Sequence, residues 1–208
     1  MAYIGTQPNN VKKNIGLYTP NEILQLTQDK NWGGSIELIA ETLLTGSYVE
    51  TVNFNDIRSD EFTVHMIIVT NMQGNSSTAQ DSRIRVSTDS GSSFKTSNYM
   101  FAAQSGQSNG SFGVNNGTSE ASMMVAGDLD NETLSKTNLV AYLYNAGSSS
   151  RFTNLSTQAS LFQSAVNVRF RNGGSVYKVA ETVNAIQFLT LSNGGFKNGH
   201  FRIYGLKE

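Results

Sequence analysis

At 208 residues, with 38% hydrophobic and 10% aromatic side chains, the chain can bury a sizeable core as one all-β domain and is too apolar for wholesale disorder. Charged residues make up 15% and the formal net charge is −1, which argues against a strong electrostatic pull toward nucleic acid or acidic membranes. With no Cys, disulfides, thiolate metal sites and Cys nucleophiles are excluded.

Residues 1–18 alternate single apolar residues with Asn, Gly and Lys and show no usable period. They read either as an extended attachment arm or as a free terminus. Neither a signal-peptide core nor an apolar run of the roughly 18 residues that span a bilayer is present, so no membrane insertion is expected. Thr19-Pro20-Asn21-Glu22 is a helix start: Thr19 caps, Pro20 takes the first helical position and Glu22 completes a capping box. Ile23, Leu24 and Leu26 give that helix an apolar side, and it stops near Lys30 because Trp32-Gly33-Gly34 breaks it. Trp32, the single Trp, either packs the helix on the body or offers a ring to a ligand.

From Ser35 onward the period is two. Strands are predicted at 36–45, 48–54, 62–71, 83–89, 96–102, 121–126, 138–145, 165–171, 184–191 and 200–206. In FTVHMIIVTN, Phe62, Val64, Met66 and Ile68 are expected on the buried face, with His65 opposite them. RIRVSTD puts Ile84 and Val86 inward and Arg83 and Arg85 outward, and AVNVRFR puts Val166, Val168 and Phe170 opposite Arg169 and Arg171. STDSGSSF, Ser87 to Phe94, reads as a hairpin turn. LVAYLY, Leu139 to Tyr144, is apolar on both faces and should be central or at a subunit contact. Gln104 to Glu120, rich in Gly, Ser and Asn, reads as a long loop, either mobile or used for recognition. Many short strands, one helix and no βαβ rhythm predict a β-sandwich or jelly roll, with an arm and helix over 1–34 and the sandwich over 35–208.

Catalytic signals are weak. Gly106-Gln107-Ser108-Asn109-Gly110 matches G-x-S-x-G, and Asp128 or Asp130 and then His200 follow in hydrolase order. That chemistry needs a strand-to-helix turn, and SFGVNNG after the motif cannot form a helix, so no enzyme is expected. Asp128-Leu129-Asp130-Asn131-Glu132 clusters oxygen ligands but fails the EF-hand pattern at Thr133 and Leu139, and His65 and His200 have no metal spacing. No cofactor is expected. Arg83, Arg85, Arg169 and Arg171, with Arg202 as a further candidate, would form a basic stripe if their strands adjoin, suited to acidic sugars or a neighbour's carboxylates. Alternatively they are a surface balanced by Asp and Glu.

Several segments together resemble the virion proteins of tailed phages, notably tail-fibre-like proteins of marine and cyanobacterial phages. They are the opening MAYIGTQP, TPNEILQLTQDKNWGGSIELIAE, the RIRVSTDSGSSF segment, LYNAGSSSRF, AETVNAIQF and the closing G-x-F-R-I-Y-G-L. Ser90-Gly91 stands where such proteins have Gly-Gly. The resemblance implies a jelly-roll-like virion structural protein made in the host cytoplasm, of tail or capsid-decorating type. It implies attachment to other virion proteins through the N-terminal arm, and a homo-oligomer, most simply a trimer, with Tyr142, Tyr144 and Tyr204 buried at the symmetric contact. A second reading is a receptor-binding module that recognises host polysaccharide through the 104–120 segment or the Arg residues.

Overall fold

The computed structural model describes residues 21, 36–134, 136–163, 167–191 and 194–207. The expected arm, Trp32 and all of the expected helix except Asn21 lie outside these residues. The chain divides into two units, Met1–Ile36 and Glu37–Glu208.

Twelve strands are seen among the described residues: β1 Ile36–Val49, β2 Thr51–Phe54, β3 Val64–Gly74, β4 Gln80–Ser87, β5 Tyr99–Gln107, β6 Phe112–Glu120, β7 Met123–Leu129, β8 Thr137–Tyr144, β9 Thr153–Gln163, β10 Asn167–Tyr177, β11 Ala185–Thr190 and β12 Phe196–Leu206. They form two antiparallel sheets, one of eight strands in the order β1-β12-β3-β8-β9-β10-β5-β6 and one of four in the order β2-β11-β4-β7. The fold is an all-β sandwich, as the period of two predicts.

The core fills the space between the sheets. Ile67 and Val69 of β3, Leu139, Ala141 and Leu143 of β8, and Phe201 and Ile203 of β12 meet Ile84 and Val86 of β4 and Phe188 of β11. Phe201 packs edge-on against Phe188 at 5.2 Å and against Phe196 at 5.3 Å, so one ring cluster pins the two sheets together.

Two strands turn the opposite way from their sequence reading. In β3 the fully buried side chains are His65, Ile67 and Val69, while Val64, Met66 and Ile68 lie half-buried on the outer face. Met66 to Val69 is apolar at both parities, so alternation alone cannot choose a face. In β10, Val168 and Phe170 are the exposed residues and Arg171 is buried. Here the inward partners are carboxylates, and charge pairing has overridden hydropathy.

Three local readings are also corrected. Gln104 to Glu120 is not a loop: β5 and β6 form a hairpin through it, closed by the Gly110 N–H donating to the Gln107 carbonyl at 3.0 Å. STDSGSSF is not a hairpin, because β4 and β5 belong to different sheets and this segment carries the chain between them. Its Asp89 carboxylate accepts from the Ser87 hydroxyl at 2.6 Å and from the Ser93 N–H at 2.9 Å. The Ser87 and Ser93 hydrogen bonds hold that carboxyl at a pKa of about 2. The left-handed residues Ser90 and Gly91 then turn the chain toward the other sheet. Finally, β9 has no counterpart among the strands expected from the sequence, although Leu155, Thr157, Ala159 and Leu161 alternate inward along it and it sits between β8 and β10.

Candidate functional site

The outer face of the large sheet can be read row by row from the strand registers. Leu206, Val64, Tyr144, Asn154, Val176 and Met100 lie side by side across β12, β3, β8, β9, β10 and β5. The next row is Tyr204, Met66, Tyr142, Ser156, Gly174 and Ala102, ending on Asn116 of β6. A third runs Arg202, Ile68, Val140, Gln158, Asn172, Gln104 and Val114, and a fourth brings Phe170 beside Gly106 and Phe112. Tyr142, Tyr144 and Tyr204 therefore do share one surface, and Tyr142 and Tyr144 stack at 6.4 Å.

From β3 to β6 no Asp, Glu, Lys or Arg occupies an outward position in these rows; charge first appears at Arg202 of β12. Six strands at about 4.8 Å spacing, each presenting about 20 Å of length, make this a neutral area of roughly 25 Å by 20 Å. Two depressions of about 540 Å³ each open on it. One is lined by Ile68, Val140, Gln158, Phe170 and Asn172. The other runs past Tyr144 over a floor of Ser156, Gly174 and Ala102 to Asn116. Amides, hydroxyls and rings of this kind hydrogen-bond and stack on an uncharged ligand.

The expected basic stripe is not on this face. Arg83 and Arg171 are buried, and the chain's own carboxylates meet them. An alternating series runs from Glu120 to Arg83 at 3.7 Å, to Asp81 at 3.1 Å, to Arg171 at 3.2 Å and to Asp128 at 3.6 Å, ending in the close pair of Asp128 with Arg169. Three cations and three anions from β4, β6, β7 and β10 thus tie the small sheet to the β10 end of the large one. Arg83 also lies over the Phe101 ring at 4.6 Å, which covers a guanidinium that the alternation alone would send to solvent. Its strand has no open face at that point. Met124 of neighbouring β7 is equally covered, with its carbonyl accepting from the Ser175 hydroxyl at 3.2 Å. Arg85 stays half-buried at the side, donating to the Ala121 carbonyl at 3.2 Å.

Ser108 sits in the β5–β6 turn, where its hydroxyl accepts from the Val168 N–H at 3.2 Å. His200 is on β12, hydrogen-bonded to Glu41 at 2.7 Å, and four strands lie between β12 and β5. Five inter-strand spacings are about 24 Å, so the hydrolase-like order of Ser and His in sequence brings no Ser–His pair together. Asp128 turns toward the arginines, while Asp130 is buried and accepts from the Glu132 N–H at 3.2 Å. Among the described residues no three His, Asp or Glu are grouped to hold a metal.

His65 is fully buried, its Nε2–H donating to the Ile57 carbonyl at 2.8 Å, and burial pushes its pKa below 6.5. The neutral ring is the folded form, so the unfolded chain binds the extra proton. Stability is therefore complete above pH 6.5 and is lost as pH falls from there toward the folded pKa, by up to about 1.4 kcal/mol per pH unit. Glu37 and Glu181, held low by Arg58 and by the Tyr177 hydroxyl, give stability that is fully present above 4.5 and is lost only as pH falls below it, outside this window. Urea midpoints measured between pH 7 and 5 should fall for the native chain and stay flat for His65→Gln; parallel curves would contradict this assignment.

The sequence points to the three tyrosines but not directly to the neutrality of the face they sit on. A signal was available: no residue from Thr96 to Ser119 is charged. Compared with protein-family models, curated proteins and solved structures, the chain matches none.

Proposed function

We propose that the chain is a non-enzymatic structural protein of a tailed-phage virion, tail-fibre-like or surface-decorating, which works by docking the neutral face of its large sheet. The observation that carries this reading is that, among the described residues, the outward rows of six adjacent strands hold no charged side chain. Interface centres are depleted in charge and enriched in aromatics, and a single partner's share of a standard interface is about 800 Å². The sequence resemblance supplies the virion context, a jelly-roll-like sandwich and an oligomer. Mass spectrometry of purified particles of the encoding phage should find the chain as a stoichiometric component. Val140→Lys, which puts a cation in the middle of the face, should fold with unchanged melting temperature yet be lost from the particles. Particles without the native chain would overturn the proposal.

The depression beside Tyr144 favours a second reading, adhesion to a neutral polysaccharide, because it offers an aromatic ring with Asn154, Ser156 and Asn116. In that case Tyr144→Ala lowers affinity for an uncharged glycan by about tenfold, the loss of one ring contact. Arg202→Ala leaves it unchanged. Glycan-array binding of the three proteins separates the cases, and equal binding by all of them rejects the pocket.

A further inference from the structure

β6 is the outermost strand of the large sheet, and its register with β5 is unbroken from Phe112 to Gly117. The hairpin closes with the Gln107 N–H donating to the Ser111 carbonyl at 2.9 Å. Bonded and non-bonded pairs alternate along an antiparallel ladder. Ser111, Gly113, Asn115 and Gly117 therefore bond to β5, whereas Phe112, Val114 and Asn116 turn their N–H and C=O groups to the open edge. Among the described residues no strand pairs there.

Natural sheets protect such edges with charge, Pro or bulges. The opposite edge strand, β1, does carry charge: Glu37 pairs with Arg58, and Glu41 with His200. β6 from Phe112 to Gly117 has neither charge nor Pro, and its one irregularity comes after Gly117. Phe112 is 75% exposed and Val114 is 72% exposed. We propose that this edge pairs with a second copy of itself, antiparallel across a two-fold axis at Val114, so that two eight-stranded sheets become one.

Two observations select a copy of this chain as the occupant. At a two-fold axis the central residue meets its own copy and its neighbours meet each other's, so a charge at the centre would face a like charge. The uncharged stretch from Thr96 to Ser119 covers the hairpin up to the last residue of β6, Glu120, in a chain that averages 15% charged residues. Centring on Val114 also sets Phe112 against the partner's Asn116 and satisfies all three open residues at once. Any other centre leaves at least one of them outside the pairing. The apolar row of Phe170, Gly106 and Phe112 leads into the joint, so the two neutral faces become continuous. This inference does not depend on what those faces contact.

Light scattering of the full chain at micromolar concentration should give the mass of two copies. Val114→Pro removes an N–H that points away from β5, and Val114→Lys sets a cation against its own copy. Each should lower the dimer fraction by about tenfold or more while the circular dichroism spectrum and melting temperature stay native. Because the chain has no Cys, Val114→Cys offers a single thiol that a short bis-maleimide should link between copies, whereas Ser47→Cys on β1 should not link. A native monomer, a mass of three copies, or a dimer that survives both substitutions and does not cross-link at 114 overturns the proposal.

Discussion

Arg171→Leu should lower the free energy of unfolding by about 3 kcal/mol, because it removes the cation that Asp81 and Asp128 share and leaves each with one arginine fewer. The Arg171 side chain is 9% exposed, and the carboxylates it pairs with are 20% and 19% exposed. Neither water nor salt can replace the guanidinium fully at such a site. Gly127 supplies an independent check, since a Cβ there would collide with the Arg171 guanidinium. Gly127→Ala should therefore be costly in the native chain and nearly neutral once Arg171 is gone. Chemical denaturation of the four proteins in the cycle gives the coupling directly. Additive costs would mean that the glycine and the arginine do not interact.

The second large effect belongs to Phe201→Ala. The ring is fully buried and touches Phe188 of the small sheet and Phe196 of its own strand. Truncation of a buried Phe costs about 3 to 5 kcal/mol. For a domain of this size that corresponds to a melting temperature lower by roughly 10 °C. Phe201→Leu keeps most of the volume and should recover more than half of the loss. Calorimetry that found the two variants equal would show that the ring geometry, rather than the filled volume, holds the sheets together.

What could be read from the sequence follows the contrast between neighbouring side chains. Ile84 and Val86 are legible as inward because Arg85 stands between them, although the same period sends Arg83 outward and the structure buries it. β3 offered apolar residues at both parities, and its buried face was decided by packing against the other sheet, which no local pattern contains. β10 misled for a different reason. Arg169 and Arg171 point inward because Asp81 and Asp128 wait there from strands distant in sequence, and a pairing of that kind is non-local by nature. The β5–β6 hairpin looked like a loop because Gly, Ser and Asn are poor strand formers, and register with β5 overrides that weak propensity. At the candidate site, Tyr142 and Tyr144 could be placed together from their spacing, whereas Tyr204 joins them only through Met66 on the intervening strand.

A sheet face without charge also sets how its encounters proceed in time. It casts no field that could orient an approaching partner, so productive collisions occur at the unassisted rate of about 10⁵ to 10⁶ M⁻¹s⁻¹. Whatever selectivity the face has must then reside in how long a contact lasts, through the fit of rings and amides. Changing ionic strength should leave such contacts largely untouched.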